Sequence, residues 1–282
     1  MLFLSLLYLW CLLSTTGTAA QPQADVPCSR CLWLETTRKI DCASKKLRRL
    51  PPASCFPDSA ISFVFAFNQI RNVDSRYFLY FSNLSAINGA NNEVREPFLL
   101  PGKLKIINLS SNKIRSTLGF FQNSTTYSSL RTITLSDNKL NFLPQRAFAG
   151  LPSLLFLALN FNKIEFMEPS ALINLPRLQK ISLEGNAINN ISKSSFSNLE
   201  NLSVLILTSN KISHLQSRFL DLPSLASLYL ANNMIRTVSP TAFQSLPYLR
   251  QLTLSSNFIQ SIENNTFAFQ KGPPSFFLYR IA

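Results

Sequence analysis

The sequence is poor in the residues on which most enzyme sites depend. Its 282 residues contain 1 histidine, 7 glycines and 2 tryptophans, and 14 acidic residues stand against 27 basic ones. A single histidine excludes a metal centre built from several histidines, and no glycine-rich pattern of the phosphate-binding kind occurs. These scarcities argue against metal-dependent and nucleotide-binding enzymes.

The remaining candidates for catalysis are weak. His214 follows a predicted turn and is expected on the surface, and Glu165 and Glu168 flank Phe166 and Met167 on a predicted outer turn. Nothing around these carboxyl groups indicates the burial that would raise a pKa for acid and base catalysis. We therefore expect no catalytic site, no metal site and no cofactor.

The chain begins with an apolar run that is too short to span a bilayer and is followed by small residues up to Ala20. We interpret residues 1–20 as a secretory signal peptide, whose cleavage removes Cys11 and leaves Gln21 as the mature N-terminus. No second apolar run reaches the length of about 20 residues that a membrane helix needs. The sequence therefore predicts an exported chain without a membrane span.

Four cysteines, Cys28, Cys31, Cys42 and Cys55, lie in the first mature segment. Their spacing also suits a four-thiolate zinc site, but export through an oxidising compartment favours disulfides. A bridge between Cys28 and Cys31 would close a very small loop and would constrain the unfolded chain little. We therefore expect the pairs Cys28–Cys42 and Cys31–Cys55.

A pattern of eleven residues, LxxLxLxxNxL, recurs through most of the chain with conservative replacements. Seven clear copies run from LKIINLSSNKI at Leu104 to LRQLTLSSNFI at Leu249, and two weaker copies begin at Ala60 and Leu84. Most copies follow one another at steps of about 24 residues, as stacked repeats of this length do. The second copy is irregular, because Gly89 stands where a leucine should point inward. The nine asparagines of the pattern are Asn68, Asn92, Asn112, Asn138, Asn162, Asn186, Asn210, Asn233 and Asn257.

The pattern predicts one short strand in each copy. Side chains alternate between the two faces of a strand, so the fourth and sixth positions point inward and the third, fifth and seventh point outward. Stacking makes a parallel sheet that neighbouring copies stabilise, and each asparagine amide is expected to bond backbone groups that the sheet leaves unpaired. Little regular helix is expected behind the sheet. Phenylalanines nine or ten residues after an asparagine predict an internal spine: Phe78, Phe148, Phe196, Phe219, Phe243 and Phe267.

These features resemble the extracellular class of leucine-rich repeat proteins, over about residues 28–270. The segment CSRCLWLETTRKIDCASKKLRRLPPASC is similar to the cysteine-rich N-terminal cap of that class. The resemblance implies a signal peptide at 1–20, a cap at 21–56, about nine repeats at 57–270 and a tail at 271–282 without a cysteine-rich cap. It implies an α/β solenoid, a horseshoe with a parallel β-sheet on the concave face and mostly irregular, 3-10 or short-helical convex segments.

The tail contains the apolar residues Phe276, Phe277, Leu278 and Ile281. An open solenoid end exposes apolar side chains, so terminal repeats normally need a cap. Either these residues fold over the end or the chain belongs to a longer protein. We favour the second interpretation.

The formal net charge is +13. Lys45, Lys46, Arg48 and Arg49 form a cluster in the cap. Such a field attracts sulfated glycans, acidic proteins or nucleic acid, although nucleic acid is disfavoured because no aromatic residues are interleaved with the basic ones. A charged rim that only keeps the chain in solution is the simpler alternative. A ladder of lysines also follows the asparagines, at Lys113, Lys139, Lys163 and Lys211.

The outward strand positions carry few charges. Phe156, Val204, Ile206 and Tyr229 stand there among small polar residues, a composition that suits contact with a protein. The alternative is that strand propensity alone accounts for them. We take these four residues as candidates for ligand binding on the concave face.

Six N-x-S/T sequons add mild support for export, since each accepts a glycan only where its asparagine faces solvent. Asn108 is at an outward strand position, so a glycan there would partly obstruct the concave face. The six asparagines are Asn83, Asn108, Asn123, Asn190, Asn201 and Asn264.

The leading hypothesis is a secreted or cell-surface module that binds a protein ligand on its concave sheet, as the resemblance implies for receptors of the Toll-like kind and for adhesion and guidance proteins. One alternative is a matrix-associated structural protein, similar to the small leucine-rich proteoglycans, held to glycosaminoglycan by its basic surface. Another is the N-terminal part of a multidomain receptor or matrix enzyme. All three place the protein outside the cell.

Overall fold

The computed structural model describes residues 26–121, 127–271 and 275–277. The expected signal peptide, the sequon at Asn123 and the tail residues Leu278 and Ile281 lie outside these residues. In the described part of the chain the regular elements are short strands and 3-10 turns, and no α-helix occurs.

The strands are β1 (Leu32–Leu34), β2 (Lys39–Asp41), β3 (Ser62–Val64), β4 (Ala86–Asn88), β5 (Ile106–Asn108), β6 (Thr132–Thr134), β7 (Phe142–Leu143), β8 (Phe156–Ala158), β9 (Phe166–Met167), β10 (Leu172–Ile173), β11 (Lys180–Ser182), β12 (Phe196–Ser197), β13 (Val204–Ile206), β14 (His214–Leu215), β15 (Ser227–Tyr229), β16 (Thr237–Val238), β17 (Gln251–Thr253) and β18 (Ser275–Phe277). The 3-10 helices are η1 (Cys28–Arg30), η2 (Ala53–Cys55), η3 (Tyr77–Tyr80) and η4 (Lys193–Ser195).

Twelve strands form one sheet, in the order β1-β2-β3-β4-β5-β6-β8-β11-β13-β15-β17-β18. β1 and β2 form an antiparallel hairpin in the cap, and the remaining neighbours are parallel and in register. The middle residue of each repeat strand is buried, as Ile133, Leu157 and Leu205 illustrate, because the pleat turns it toward the core. The expected solenoid with a parallel sheet is therefore confirmed.

An aromatic spine runs through the first half of the core. Phe78 packs against Phe98 with ring centroids 5.2 Å apart, and Phe98 packs against Phe120 at 5.5 Å. Phe78 and Phe148 were expected there, and both are buried. Phe98 and Phe120 were not expected in the spine. In the irregular second and third repeats they stand fewer than nine residues after Asn92 and Asn112, so the spacing rule does not select them.

Gly89 is explained by the preceding repeat. A Cβ atom at Gly89 would lie 2.1 Å from Cζ of Phe65, so the Phe65 ring fills the volume that a leucine would take. Phe65 is fully buried. The large Phe65 of the first repeat therefore compensates for the small Gly89 of the second, and the core remains continuous.

Three pairs of two-residue strands lie behind the main sheet: β7 with β9, β10 with β12, and β14 with β16. The sequence predicted mostly irregular or 3-10 segments there, and these short parallel pairs were missed. Phe142 and Phe166 stack across one pair, with centroids 5.5 Å apart and an interplanar angle of 15°. Extended segments of two residues are too short to give a period-two pattern in the sequence.

The cap disulfides join Cys28 to Cys55 and Cys31 to Cys42, so the expected pairs Cys28–Cys42 and Cys31–Cys55 are wrong. The β1–β2 hairpin gives the reason. Its register places Leu32 opposite Asp41, so the next residues outward, Cys31 and Cys42, face each other with Cα atoms 4.4 Å apart. Cys28 is then left for Cys55, at a Cα distance of 5.4 Å, and both distances suit a disulfide.

Candidate ligand-binding surfaces

A ladder of asparagine side chains marks the rim where the strands end. Nδ2 of Asn162 donates to the carbonyls of Leu135 and Leu159, both at 3.0 Å, and its Oδ1 accepts from the N–H of Leu140 at 3.1 Å. The other asparagines of the pattern, from Asn68 to Asn257, make the equivalent bonds. Because each amide connects two repeats, it fixes the spacing of the residues along the rim.

The structure brings three of the four concave candidates together. Val204 and Ile206 are outward residues of β13, and the register places Ile206 beside Tyr229 of β15. Phe156 lies in the same row as Val204 but two strands away, with Lys180 between them. Phe156 is 43% exposed, whereas the other three are half-buried. The candidates therefore form one cluster and one separate anchor.

Tyr229 is held by its neighbour on the sheet. Its hydroxyl donates to Oε1 of Gln251 at 2.5 Å, and the hydroxyl of Ser227 donates to the same oxygen at 3.1 Å. The ring is therefore oriented before any ligand arrives, which lowers the entropy cost of binding.

Three exposed apolar residues on or next to this face were not among the candidates: Ile106, Phe161 and, at the position of the first repeat equivalent to Phe161, Phe67. Ile106 is 48% exposed on β5 and lies in one row with Thr132 and Phe156. The repeat frame would have found it, since it occupies an outward position. Phe161 is 57% exposed, and a Cβ at Gly185 would lie 2.5 Å from its ring, so the ring rests on the next repeat. Its left-handed backbone, with φ of 53°, sets that direction, and the residue before the asparagine has a positive φ in every repeat, as Phe67 (58°) and Ser209 (56°) illustrate.

The described sequons differ in exposure. Asn190, Asn201 and Asn264 are exposed, whereas Asn83 and Asn108 are half-buried. Asn108 lies on the concave face beside Ile106, and its Oδ1 accepts from the backbone and the hydroxyl of Ser110. Oδ1 of Asn83 accepts from Nζ of Lys103 at 2.8 Å, and Nδ2 of Asn201 donates to the carbonyl of Pro176 at 2.6 Å.

The basic cluster of the cap points in more than one direction. Lys45 is half-buried and its N–H donates to Oδ1 of Asn68, whereas Lys46, Arg48 and Arg49 are exposed. The two arginines face the first repeat across a cleft of about 600 Å³. The cleft is lined by Val26, Arg48, Arg49, Gln69, Arg71, Asn72 and Glu93.

Glu93 is an acidic residue within this otherwise basic surface. Its Oε2 lies 3.0 Å from Nζ of Lys113 and 3.1 Å from Nε of Arg71. The hydrogen bond from Lys113 is the main cause that lowers the pKa of the Glu93 carboxyl, and Arg71 adds to it. Within the described residues, Lys139, Lys163 and Lys211 form no salt bridge.

The weak catalytic candidates are dispersed. His214 is exposed, with Nδ1 2.8 Å from Oγ1 of Thr237. Oε2 of Glu168 accepts from the N–H of Gln145 at 2.7 Å, and Glu165 is exposed. Across residues 26–121, 127–271 and 275–277, no group of three or more His, Cys, Asp or Glu residues could hold a metal ion.

The family model for the leucine-rich repeat matches residues 128–188, 176–235 and 223–270. These matches together cover just over half of the chain. The chain belongs to the leucine-rich repeat family. Family members are typically binding modules without enzymatic activity. The upstream strands β3, β4 and β5 continue the same sheet, so the architecture extends beyond the matched segment. Comparison with curated proteins gives no match.

Two solved structures show where this leucine-rich repeat chain is similar to other proteins. One is a chain of the octameric complex of Latrophilin 3, Unc5D and FLRT2, in which FLRT2 is the LRR component. The TM-score is 0.65 and the sequence identity is 24%, and the match covers 86% of this chain and 80% of that chain. The other is the complex of TLR13 with ssRNA13, with a TM-score of 0.70 at 27% identity, over 82% of this chain and 33% of that chain. The chain thus spans about a third of the TLR13 chain.

These likenesses show that the chain has the fold of a leucine-rich repeat solenoid. Disulfides persist in oxidising compartments, so the two bridges of the cap point to an extracellular protein. In the part of the chain that the structure describes, no helix is long and apolar enough to cross a membrane.

Proposed function

We propose that this chain is a secreted or cell-surface module that recognises a protein ligand on the concave face of its solenoid. The observation that carries the proposal is the exposure of bulky apolar side chains among small polar ones on that face. Phe156 is 43% exposed there, and Val204, Ile206 and Tyr229 are half-buried outward residues of β13 and β15. Because these side chains point away from the core, they add little to the stability of the stack. Their burial against a partner would contribute favourably to the free energy of binding.

The polar residues of the face support the same function. Serine, threonine and asparagine adapt their hydrogen bonds to a partner, and they occupy outward positions such as Thr132, Asn160 and Thr208. Charged residues, which are costly to desolvate, are few at the outward positions of the repeats, where Lys180 on β11 and Glu184 just beyond it are the examples. The face therefore suits a partner with an apolar centre and a polar rim.

A glycan on Asn108 would direct the ligand to one half of the sheet. Asn108 lies on β5, so an occupied site would cover Ile106 and its surroundings. The strands from β8 to β17 would stay open, and these strands carry Phe156, Ile206 and Tyr229. We therefore place the main contact in that half.

The experiment uses the full chain exported from cultured cells and probed against a panel of secreted and cell-surface ectodomains. A triple variant, Phe156→Ala, Ile206→Ala and Tyr229→Ala, is compared with a control triple variant that removes exposed aromatics elsewhere, Phe166→Ala, Tyr248→Ala and Phe269→Ala. Each anchor is expected to contribute more than about 1 kcal/mol, so the concave variant should bind a captured partner at least about tenfold more weakly. The control should bind as the wild type does.

Equal binding by the wild type and the concave variant would contradict the proposal. Thermal unfolding is measured on both variants, because unchanged midpoints are needed to assign the loss to the surface. The altered side chains are outward, so we expect both midpoints to stay within a few degrees of the wild type.

A further inference from the structure

A column of arginines runs along the rim, from the cap into the first three repeats. The backbone defines the equivalence, since an N–H of each repeat donates to one carbonyl of the preceding unit. Gln69 donates to Leu47 at 2.8 Å, Glu93 to Ile70 at 2.9 Å, Lys113 to Val94 at 2.8 Å and Lys139 to Ile114 at 2.8 Å. The residues that follow these four carbonyl residues are Arg48, Arg71, Arg95 and Arg115.

A ladder of lysines runs beside this column, two residues earlier in each repeat, and extends beyond Arg115, where the arginine positions are taken by Asn141 and Glu165. Lys113, Lys139 and Lys163 provide the donating backbone N–H in three consecutive repeats. Each lysine immediately precedes the residue whose carbonyl accepts from the following repeat. Lys139 and Lys163 line a cleft of about 280 Å³ together with Arg115 and Asn141. We call the combined surface the rim stripe, which consists of Arg48, Arg71, Arg95, Arg115, Lys139 and Lys163.

The rim stripe is exposed and largely unpaired. All six side chains are exposed, and among the described residues only Arg71 forms a salt bridge, to Glu93. The acidic residues Glu96, Asp137 and Glu165 are close in sequence and form no salt bridge with it in the described part of the chain. Neighbouring strands lie about 4.8 Å apart, so the stripe extends over roughly 25 Å from the cap to the fifth repeat.

We propose that the rim stripe binds a linear sulfated glycan of the glycosaminoglycan class. A polymer with regularly spaced anions can contact cations that recur once per repeat, whereas a compact anion could reach only one or two of them. Arginine side chains bond planar and tetrahedral oxyanions with paired donors. Nucleic acid fits less well, because no aromatic residue occupies either column between the cap and the fifth repeat to stack on bases.

The rim stripe is separate from the concave site. Its residues lie beyond the ends of the strands, after the asparagine in the repeats and at the equivalent place in the cap for Arg48, whereas Phe156, Ile206 and Tyr229 lie on the strands themselves. A glycan on the rim therefore leaves the concave face open. The inference does not depend on the proposed protein ligand, and either one can fail alone.

The test measures binding of the full chain to immobilised heparin as a function of salt. The stripe variant carries Arg95→Gln, Arg115→Gln, Lys139→Gln and Lys163→Gln. The control variant loses the same charge from exposed residues that precede the strands, through Lys105→Gln, Arg131→Gln, Arg177→Gln and Arg250→Gln. We expect the stripe variant to bind at least about tenfold more weakly at physiological salt and to show a shallower salt dependence, since fewer ions are displaced. The control should lose less than about threefold.

Equal losses in the two variants would overturn the inference, because diffuse attraction by net charge would then explain the binding. Failure of the wild type to bind heparin at physiological salt would also overturn it. Single-stranded RNA that displaces heparin at equal charge concentration would assign the stripe to nucleic acid instead. Two double variants are also measured, one with Arg95→Gln and Arg115→Gln and one with Lys139→Gln and Lys163→Gln. They keep the test valid if the fourfold variant does not fold.

Discussion

The asparagine at the end of each strand connects one repeat to the next. In the fifth and sixth repeats, Asn162 and Asn186 are buried. Nδ2 of Asn186 donates to the carbonyls of Leu159 and Leu183, and Oδ1 accepts from the N–H of Ile164. An apolar side chain would leave these buried backbone groups without partners, which costs more than the bonds themselves contribute.

We expect Asn162→Ala and Asn186→Ala each to lower the free energy of unfolding by about 1–3 kcal/mol, through the unpaired groups that they leave. Asn189→Ala is the matched control, because Asn189 is exposed, and it should change the value by less than about 0.5 kcal/mol. Denaturant unfolding measures all three variants. Similar effects from buried and exposed positions would mean that the repeat frame is misassigned.

Gly89 tests the packing between the first two repeats. Gly89→Ala places a methyl group against the Phe65 ring, so we expect a loss of about 1–3 kcal/mol from overpacking. Phe65→Leu makes room for that methyl group. In a double-mutant cycle the two changes together should therefore cost less than the sum of the single changes. Additive effects would show that the ring does not fill the position of the missing leucine.

At the scale of elements, the strands of the main sheet and a disulfide-bonded cap could be predicted, whereas the pairing of the cap cysteines could not. Period-two alternation placed Phe156, Leu157 and Ala158 outward, inward and outward, as the structure has them. The cap pairing depends instead on the register of the β1–β2 hairpin, which places Cys31 beside Cys42. Spacing along the chain does not contain that register, since several hairpins fit the same four cysteines.

The cap cysteines give the third prediction. Thiol labelling under denaturing, non-reducing conditions should find no free thiol among the four, and peptide mapping should join Cys28 to Cys55 and Cys31 to Cys42. Replacing Cys31 and Cys42 by serine should lower stability by about 2–5 kcal/mol. Four reactive thiols accompanied by bound zinc would contradict the disulfide assignment.

At the scale of the molecule, the repeat frame indicated which faces exist but not how residues combine on them. It assigned Val204, Ile206 and Tyr229 to the concave face, and the sheet register makes them neighbours. It did not reveal that Arg48 of the cap is equivalent to Arg71, because the cap has Lys45 where the repeats have their asparagine. The equivalence follows from the backbone hydrogen bond that joins Gln69 of the first repeat to Leu47 of the cap.

Export is the fourth prediction. The full chain expressed in secretory cells should reach the medium with its N-terminus near Gln21, and enzymatic removal of N-glycans should lower its mass. Asn190 and Asn264 are the best acceptor sites, because both are exposed. A retained leader, or an intact mass that deglycosylation does not change, would contradict export as a glycoprotein.

The central claim is that the concave sheet is the surface that recognises a protein. The most direct measurement is the affinity of a captured protein partner for the wild type, for the Phe156→Ala, Ile206→Ala, Tyr229→Ala variant and for the stripe variant, at physiological salt. The account predicts that the concave variant loses at least about tenfold and that the stripe variant stays within about threefold of the wild type. Normal binding by the concave variant with loss in the stripe variant would contradict the claim.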